Sequence, residues 1–209
     1  MKAAIDLEQP QLSSTEAALL EHLLAESRDG YLEFGLGGST LKAVRSATPR
    51  IVAVDSDAGW VAGVSQHAEI AAGLEAGRVH IVHAAIGPLS GWGRPADRSQ
   101  IHHWPRYVAL PWAACREQGF RPDLIFIDGR FRVACAISAA IMGLGDAEWR
   151  GKVRLVLHDY VGRQHKYRTI LDFCAIEQAE DSMIVLSLRP DIDANHAMTS
   201  LLTYVFNWG

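Results

Sequence analysis

The stretch Tyr31-Leu-Glu-Phe-Gly-Leu-Gly-Gly-Ser-Thr40 constrains this chain more than any other. A short apolar run feeds a glycine cluster, and Ser39 and Thr40 then open a segment of helical composition, so the pattern predicts strand, tight turn, helix. Such a turn is a ligand cradle, because glycines let the backbone approach a bound molecule and the new helix aims unpaired N–H groups at it. Glu33 is the unusual member. A carboxylate at the end of this strand repels a pyrophosphate and suits a ligand with a positive end.

The same alternation recurs along the chain. Ser13-x-x-Glu16 is a capping-box pattern for a helix reaching about Arg28, preceded by an irregular arm over residues 1–12. Strands are expected at Ile51–Val54, Val79–His83, Asp123–Ile127 and Val153–Leu157. Helices are expected at about 39–47, 57–76 with a break at Gly63 or Gly73, 113–118, 131–142 and 163–171. Segments 173–177 and 183–188 read as an antiparallel hairpin, and 194–206 is ambiguous between helix and strand. Residues 88–106, with turn formers, two tryptophans, two histidines and three arginines, read as a long loop with room for a short strand, and as a candidate lid. Successive β-α units imply an α/β fold with a parallel sheet and right-handed crossovers.

Composition narrows the function classes. With 209 residues, 49% of them hydrophobic, the chain fits one domain with a sizeable core. A formal net charge of −4 with interspersed signs carries no footprint for nucleic acid. Three widely spaced cysteines suggest neither a disulfide framework nor a zinc site. No signal pattern or membrane-length apolar run is seen, so a cytoplasmic location and a small-molecule partner are expected, with a homo-oligomer left open.

The polar residues fall in a pattern. Glu33, Asp55, Asp128 and the His158-Asp159 pair each end a predicted strand, the edge at which open α/β sheets bind ligands. Each alone also reads as a helix cap or a solvated turn. Asp55 lies twenty residues beyond Gly35, the interval at which an acid holds ribose hydroxyls. The dinucleotide fingerprint wants a third glycine where Thr40 stands, and Glu33 opposes a pyrophosphate, which favours S-adenosylmethionine over a nicotinamide cofactor.

On Glu33-Phe-Gly-Leu-Gly-Gly-Ser-Thr40, Val54-Asp-Ser-Asp57, Phe126-Ile-Asp-Gly129 and the terminal hairpin, the chain resembles the class I S-adenosylmethionine-dependent methyltransferases over about residues 30–188. The resemblance implies a doubly wound, Rossmann-like sheet of seven strands with the last antiparallel and helices on both faces. It implies that Glu33, Gly35 and Gly37 hold the methionine part of the cofactor, Asp55 the ribose, and Ala85 and Ile86 the adenine. Ser39, Thr40, Ser56 and Asp128 are the other expected cofactor-binding residues. Many members carry an acid after the third strand, where this chain has Ala84-Ala-Ile86.

Asp128 and Asp159 are similar to acids that bind a divalent metal of the magnesium type in catechol- and macrocin-type O-methyltransferases, although His158 replaces an acid often found there. Asp128, His158 and Asp159 are therefore the candidate catalytic residues, with His158 a base or a structural histidine. Arg130 and Arg132 suit an anionic substrate group, and His103 and Trp104 are candidates to line an acceptor pocket. The leading expectation is methylation of a small molecule, at oxygen. The alternative is a non-catalytic binding or regulatory module on the same fold.

Overall fold

The computed structural model describes residues 6–208, so the first five positions of the expected arm lie outside the described residues. Seven strands form the main sheet: β1 (Tyr31–Phe34), β2 (Ile51–Asp55), β3 (Val79–His83), β4 (Leu124–Ile127), β5 (Arg154–Leu157), β6 (Cys174–Glu180) and β7 (Met183–Leu188). Their order is β3-β2-β1-β4-β5-β7-β6. Every pairing from β3 to β5 is parallel, while β7 runs antiparallel to both β5 and β6. This is the α/β, Rossmann-like methyltransferase architecture, with the expected terminal hairpin in place. The strand order reverses between β1 and β4, and the crevice at that switch point is where such a sheet takes a ligand.

Alternate residues of each strand enter two separate cores. Leu32, Phe34, Val52, Val54, Ile125, Ile127, Leu155 and Leu157 join one. Tyr31, Ile51, Ala53, Leu124, Phe126 and Val156 join the other. That is the period-two rule for a sheet covered on both faces, and it explains the continuous apolar runs in the sequence.

The helices are α1 (Ser14–Glu26), α2 (Gly38–Arg45), α3 (Ala58–Ser65), α4 (Ala68–Glu75), α5 (Pro105–Glu117), α6 (Arg132–Met142), α7 (Ala147–Lys152), α8 (Gln164–Tyr167) and α9 (Ala194–Tyr204). The capping box of α1 forms as expected, with Ser13 and Glu16 bonding reciprocally. The helical region 57–76 breaks not at a glycine but at His67, whose ψ of 129° is extended. Gly73 serves packing instead, since a Cβ there would lie 2.5 Å from Val79 Cγ2 on β3.

Four other expectations change or gain detail. Helix α5 starts eight residues earlier than the expected 113, because Pro105 sits at its first turn, where a missing N–H costs nothing, and it runs through Pro111. An interior proline costs about 3 kcal/mol, and the buried face of Tyr107, Val108, Trp112 and Cys115 offsets it. The ambiguous 194–206 segment is helix α9, capped by Asp193 and packed on α6. The expected helix 163–171 is only one turn, α8, followed by a 3-10 stretch. Residues 88–106 are a folded excursion, with a two-residue antiparallel ribbon (Leu89–Ser90 with Arg94–Pro95) and 3-10 turns at 91–93 and 101–103. Among the described residues no helix is long and apolar enough to cross a membrane.

Candidate active site

The glycine turn after β1 is built around Glu33. Its side chain is 1% exposed and accepts hydrogen bonds from Ser39 Oγ at 2.5 Å, Thr40 Oγ1 at 2.8 Å and Tyr31 Oη at 3.2 Å. Ser39 and Thr40 thus bear on the turn through the carboxylate they bind. Burial pushes the Glu33 carboxyl up to about 8 against the three hydroxyls, and the nearby Asp128 charge adds to the rise. Gly35 has φ of +140°, a region that side-chain-bearing residues rarely adopt, and it faces the backbone of Asp128-Gly129 across the switch point.

The turn borders a cavity of about 470 Å³. Glu33, Gly35, Gly37, Ser39, Asp55, Ser56 and Asp128 line it, so seven of the expected cofactor residues converge there. Thr40 stands behind them, fully buried, where it also accepts a bond from Gly37 N–H at 3.0 Å. Asp55 accepts the Asp57 N–H at 2.8 Å through one oxygen, and burial raises its carboxyl above the usual range. The aromatic wall is Trp60, whose indole N–H donates to Leu36 O at 2.7 Å.

Two of the expected cofactor residues stand apart from this cavity. Ile86 is 1% exposed within the core, and neither it nor Ala85 lines the cavity. The wall beyond Asp55 comes instead from Ser56, Asp57, Trp92 and Gly93, because the 89–95 ribbon folds over Ser56. The other surprise is the N-terminal arm. Leu7 and Pro10 lie against Gly38, where an added Cβ would stand 2.7 Å from Leu7 O, and Asp6, Gln9, Gln11 and Leu12 extend the lining. The sequence carried no motif that marked the arm as part of the site.

A second cavity, of about 590 Å³, adjoins the first and shares Gln11, Trp92, Asp128, Gly129 and Arg130 with it. It holds all three candidate catalytic residues. Asp128, His158 and Asp159 offer ligand atoms within 4.8 Å of one another, a spacing that invites a metal. The cluster already contains a cation. Arg132, only 8% exposed in its side chain, places Nη2 3.0 Å from Asp128 Oδ1 and Nη1 3.3 Å from Asp159 Oδ2. The same guanidinium donates to the carbonyls of Gly129, Asp128 and His158. Arg132 is therefore a buried clamp on the ends of β4 and β5, with its guanidinium already engaged by five protein oxygens.

His158 is equally committed. Nδ1 lies 2.9 Å from Asp128 Oδ1 and Nε2 3.4 Å from Glu16 Oε2. Burial alone would lower its proton affinity, but Asp128, Asp159 and Glu16 outweigh it and raise the imidazole above its ordinary value. Both ring nitrogens therefore face carboxylates, and holding a metal or taking a proton from an acceptor would cost one of these contacts. Glu16 in turn accepts Ser182 N–H and Oγ, at 2.9 and 2.7 Å, so the capping residue of α1 ties that helix to the β6–β7 turn and the site. A divalent metal at Asp128 and Asp159 thus does not fit this donor set, whose carboxylates are balanced by Arg132 and His158.

Of the acceptor candidates, Arg130 lines both cavities, while Trp104 and His103 line neither. Trp104 is 1% exposed and packs on Phe131 with ring centroids 5.8 Å apart, a core residue rather than a pocket wall. His103 sits on a 3-10 turn, edge-on to His102. The structure adds Arg94, Arg163, Lys166, Tyr167 and Trp208 to the second cavity, residues from three separate segments that no local pattern joins.

No protein-family profile matches the chain, and no curated protein does. Solved structures do. A methyltransferase-like protein from Silicibacter pomeroyi is 26% identical with a TM-score of 0.74, over 95% of this chain and 97% of that one. An O-methyltransferase from Bacillus cereus, solved in complex with SAH, is 16% identical with a TM-score of 0.52, over 86% of this chain and 83% of that one. At the second identity the likeness speaks to the fold alone. These likenesses give the chain the Rossmann-like fold of the class I S-adenosylmethionine-dependent methyltransferases.

Proposed function

We propose that the protein transfers a methyl group from S-adenosylmethionine to a small-molecule acceptor, at oxygen, without a metal. The observation that carries this reading is the pairing of two adjoining cavities at the switch point. The first is lined by Glu33, Asp55 and the glycine turn, and the second opens beside Asp128 and Arg130. The carboxylates suit a donor with ammonium and sulfonium charges and a ribose, and the related fold from Bacillus cereus holds SAH. When bound, S-adenosylmethionine supplies a methyl on sulfonium that passes to an acceptor lone pair as the carbon–sulfur electrons return to sulfur.

The residues of the chain contribute alignment. The Glu33 carboxylate would face the ammonium, and the Asp55 carboxylate would accept from the ribose. Asp128 and Arg130, on the divide, would set donor and acceptor against each other, and such positioning accounts for several kcal/mol of a displacement barrier. With His158 and Asp128 both in ion pairs, the acceptor oxygen must lose its proton to solvent through the open second cavity or arrive ionised. The same commitment of His158 and Asp128 favours the second reading, a non-catalytic module that keeps the cofactor cleft.

Titration calorimetry with S-adenosylmethionine, S-adenosylhomocysteine and NAD tests the first reading. Micromolar binding of the first two and none of NAD is expected. Tight NAD binding with neither adenosyl ligand bound would sink it. Turnover in a broad panel of hydroxylated acceptors separates enzyme from module.

A further inference from the structure

The second cavity has a charge opposite to that of the protein as a whole. Arg94, Arg130, Arg132, Arg163 and Lys166 line it against only Asp128 and Asp159, in a chain whose formal net charge is −4. The two carboxylates are already taken. Arg132 holds both, and Arg163 Nη1 shares Asp159 Oδ2 at 2.9 Å. Among the described residues, Arg94, Arg130 and Lys166 have no carboxylate within ion-pair distance. The Arg94 guanidinium instead lies 5.9 Å from the centre of the Trp208 ring.

Arg130 is the telling member, because it is only partly exposed and sits at the boundary with the donor cleft. Burial depresses its proton affinity below the usual arginine range, and the charges of Arg132 and Arg94 depress it further. Like charges gathered in a concave, partly dry site where cations outnumber carboxylates raise the free energy of the unliganded form, and an anion placed among them relieves that cost. The uncharged lining consists mainly of Trp92, Val133, Tyr167 and Trp208, flat or branched apolar groups suited to a ring.

We infer that the acceptor is a small aromatic oxyanion, its carboxylate or phosphate gripped by Arg130, Arg94 and Lys166 and its ring laid against Trp92 and Trp208. This rests on the methyl-donor reading for the word acceptor, but the anion preference itself does not. Guanidinium forks and an ammonium suit either oxyanion.

The test is calorimetric titration at low ionic strength with 4-hydroxybenzoate, phenyl phosphate and the neutral 4-hydroxybenzamide, which share a ring and differ in charge. At least one of the two acids is expected to bind tenfold or more tighter than the amide. That preference should fall below about threefold in Arg130→Gln and in the double variant Arg94→Gln/Lys166→Gln, which carries exposed positions only and should fold normally. Whichever acid binds tighter names the head group. Equal binding of acids and amide, no binding of either acid in the ~10 mM range, or a preference that survives both variants would overturn the inference. S-adenosylhomocysteine titrated into the same samples reads the other claim separately. Its binding without an acid preference defeats only the oxyanion, and an acid preference without its binding defeats only the methyl donor.

Discussion

The two cavities at the sheet edge have opposite characters although they share a wall. The donor cleft is acidic, with Glu33, Asp55, Asp57 and Asp128 facing it and Arg130 as its basic residue, whereas the neighbouring cavity collects five basic side chains. Glu33 and Asp55, which face the first cavity alone, are held by hydrogen bonds from neutral groups: three hydroxyls on Glu33 and a backbone N–H on Asp55. The acids of the second are held by charges. A carboxylate bound by neutral donors keeps its attraction for an incoming cation, while one bound by Arg132 has lost most of it. The lesson is that strand-end acids alike in the sequence divide into ligand-facing and structural ones by what their neighbours supply.

The comparison breaks most visibly at Arg132. Arg132→Met removes the buried cation that Asp128 and Asp159 share and leaves three carbonyls without its donors, so a loss of about 3–5 kcal/mol is expected in denaturant unfolding. A loss below about 1 kcal/mol would mean the clamp is not structural. Asp55→Ala sits on the other side of the contrast. It should weaken S-adenosylmethionine by about 10- to 100-fold through lost ribose bonds while shifting the melting temperature by only a few degrees. Unchanged affinity would move the ribose elsewhere.

Glu33 sharpens the contrast through pH. Its folded carboxyl, raised to about 8 from an ordinary 4.5, holds a proton that the unfolded chain has released, so its contribution to stability falls as pH rises through that window. The full cost, on the order of a few kcal/mol, is present above pH 8. Glu33→Gln should therefore be more stable than wild type at pH 8.5, with little difference at ~pH 4, while binding the cofactor more weakly. In the wild type a cationic ligand favours the ionised form, so its binding should release a proton and tighten from about pH 6 to 8. Calorimetry in buffers of different ionisation enthalpy reads that proton, and no proton release would separate Glu33 from the ammonium.

The smallest effect concerns metal. Millimolar magnesium should shift the melting temperature by less than about 1 °C, and methyl transfer should survive a chelator. A large magnesium shift would mean that the ion displaces Arg132, and the two cavities would no longer differ as described.

Much of the frame was legible in the chain. Four apolar runs with an acid at or just beyond each end predicted β1, β2, β4 and β5 and which sheet edge would carry the site. The Ser13–Glu16 box predicted the start of α1. These are local signals, set by a period of two, a glycine turn and a cap. Trp104 and His103 misled because a mixed, turn-rich stretch looks the same whether its tryptophan points into a cavity or into the core. Helix α5 began earlier than expected because proline reads as a breaker unless its position in the helix is known.

What the sequence by itself determined was therefore the alternation of strand and helix, the acidic glycine turn and the carboxyl edge on which Glu33, Asp55, Asp128 and Asp159 lie. Only the tertiary structure decided that Glu16 reaches His158, that the N-terminal arm covers the glycine turn, and that Arg94, Arg130 and Lys166 share one cavity. The physical reason is range. Hydrophobic period and turn chemistry act between neighbours in the chain, but the charge felt by a side chain comes from residues brought beside it by strand order.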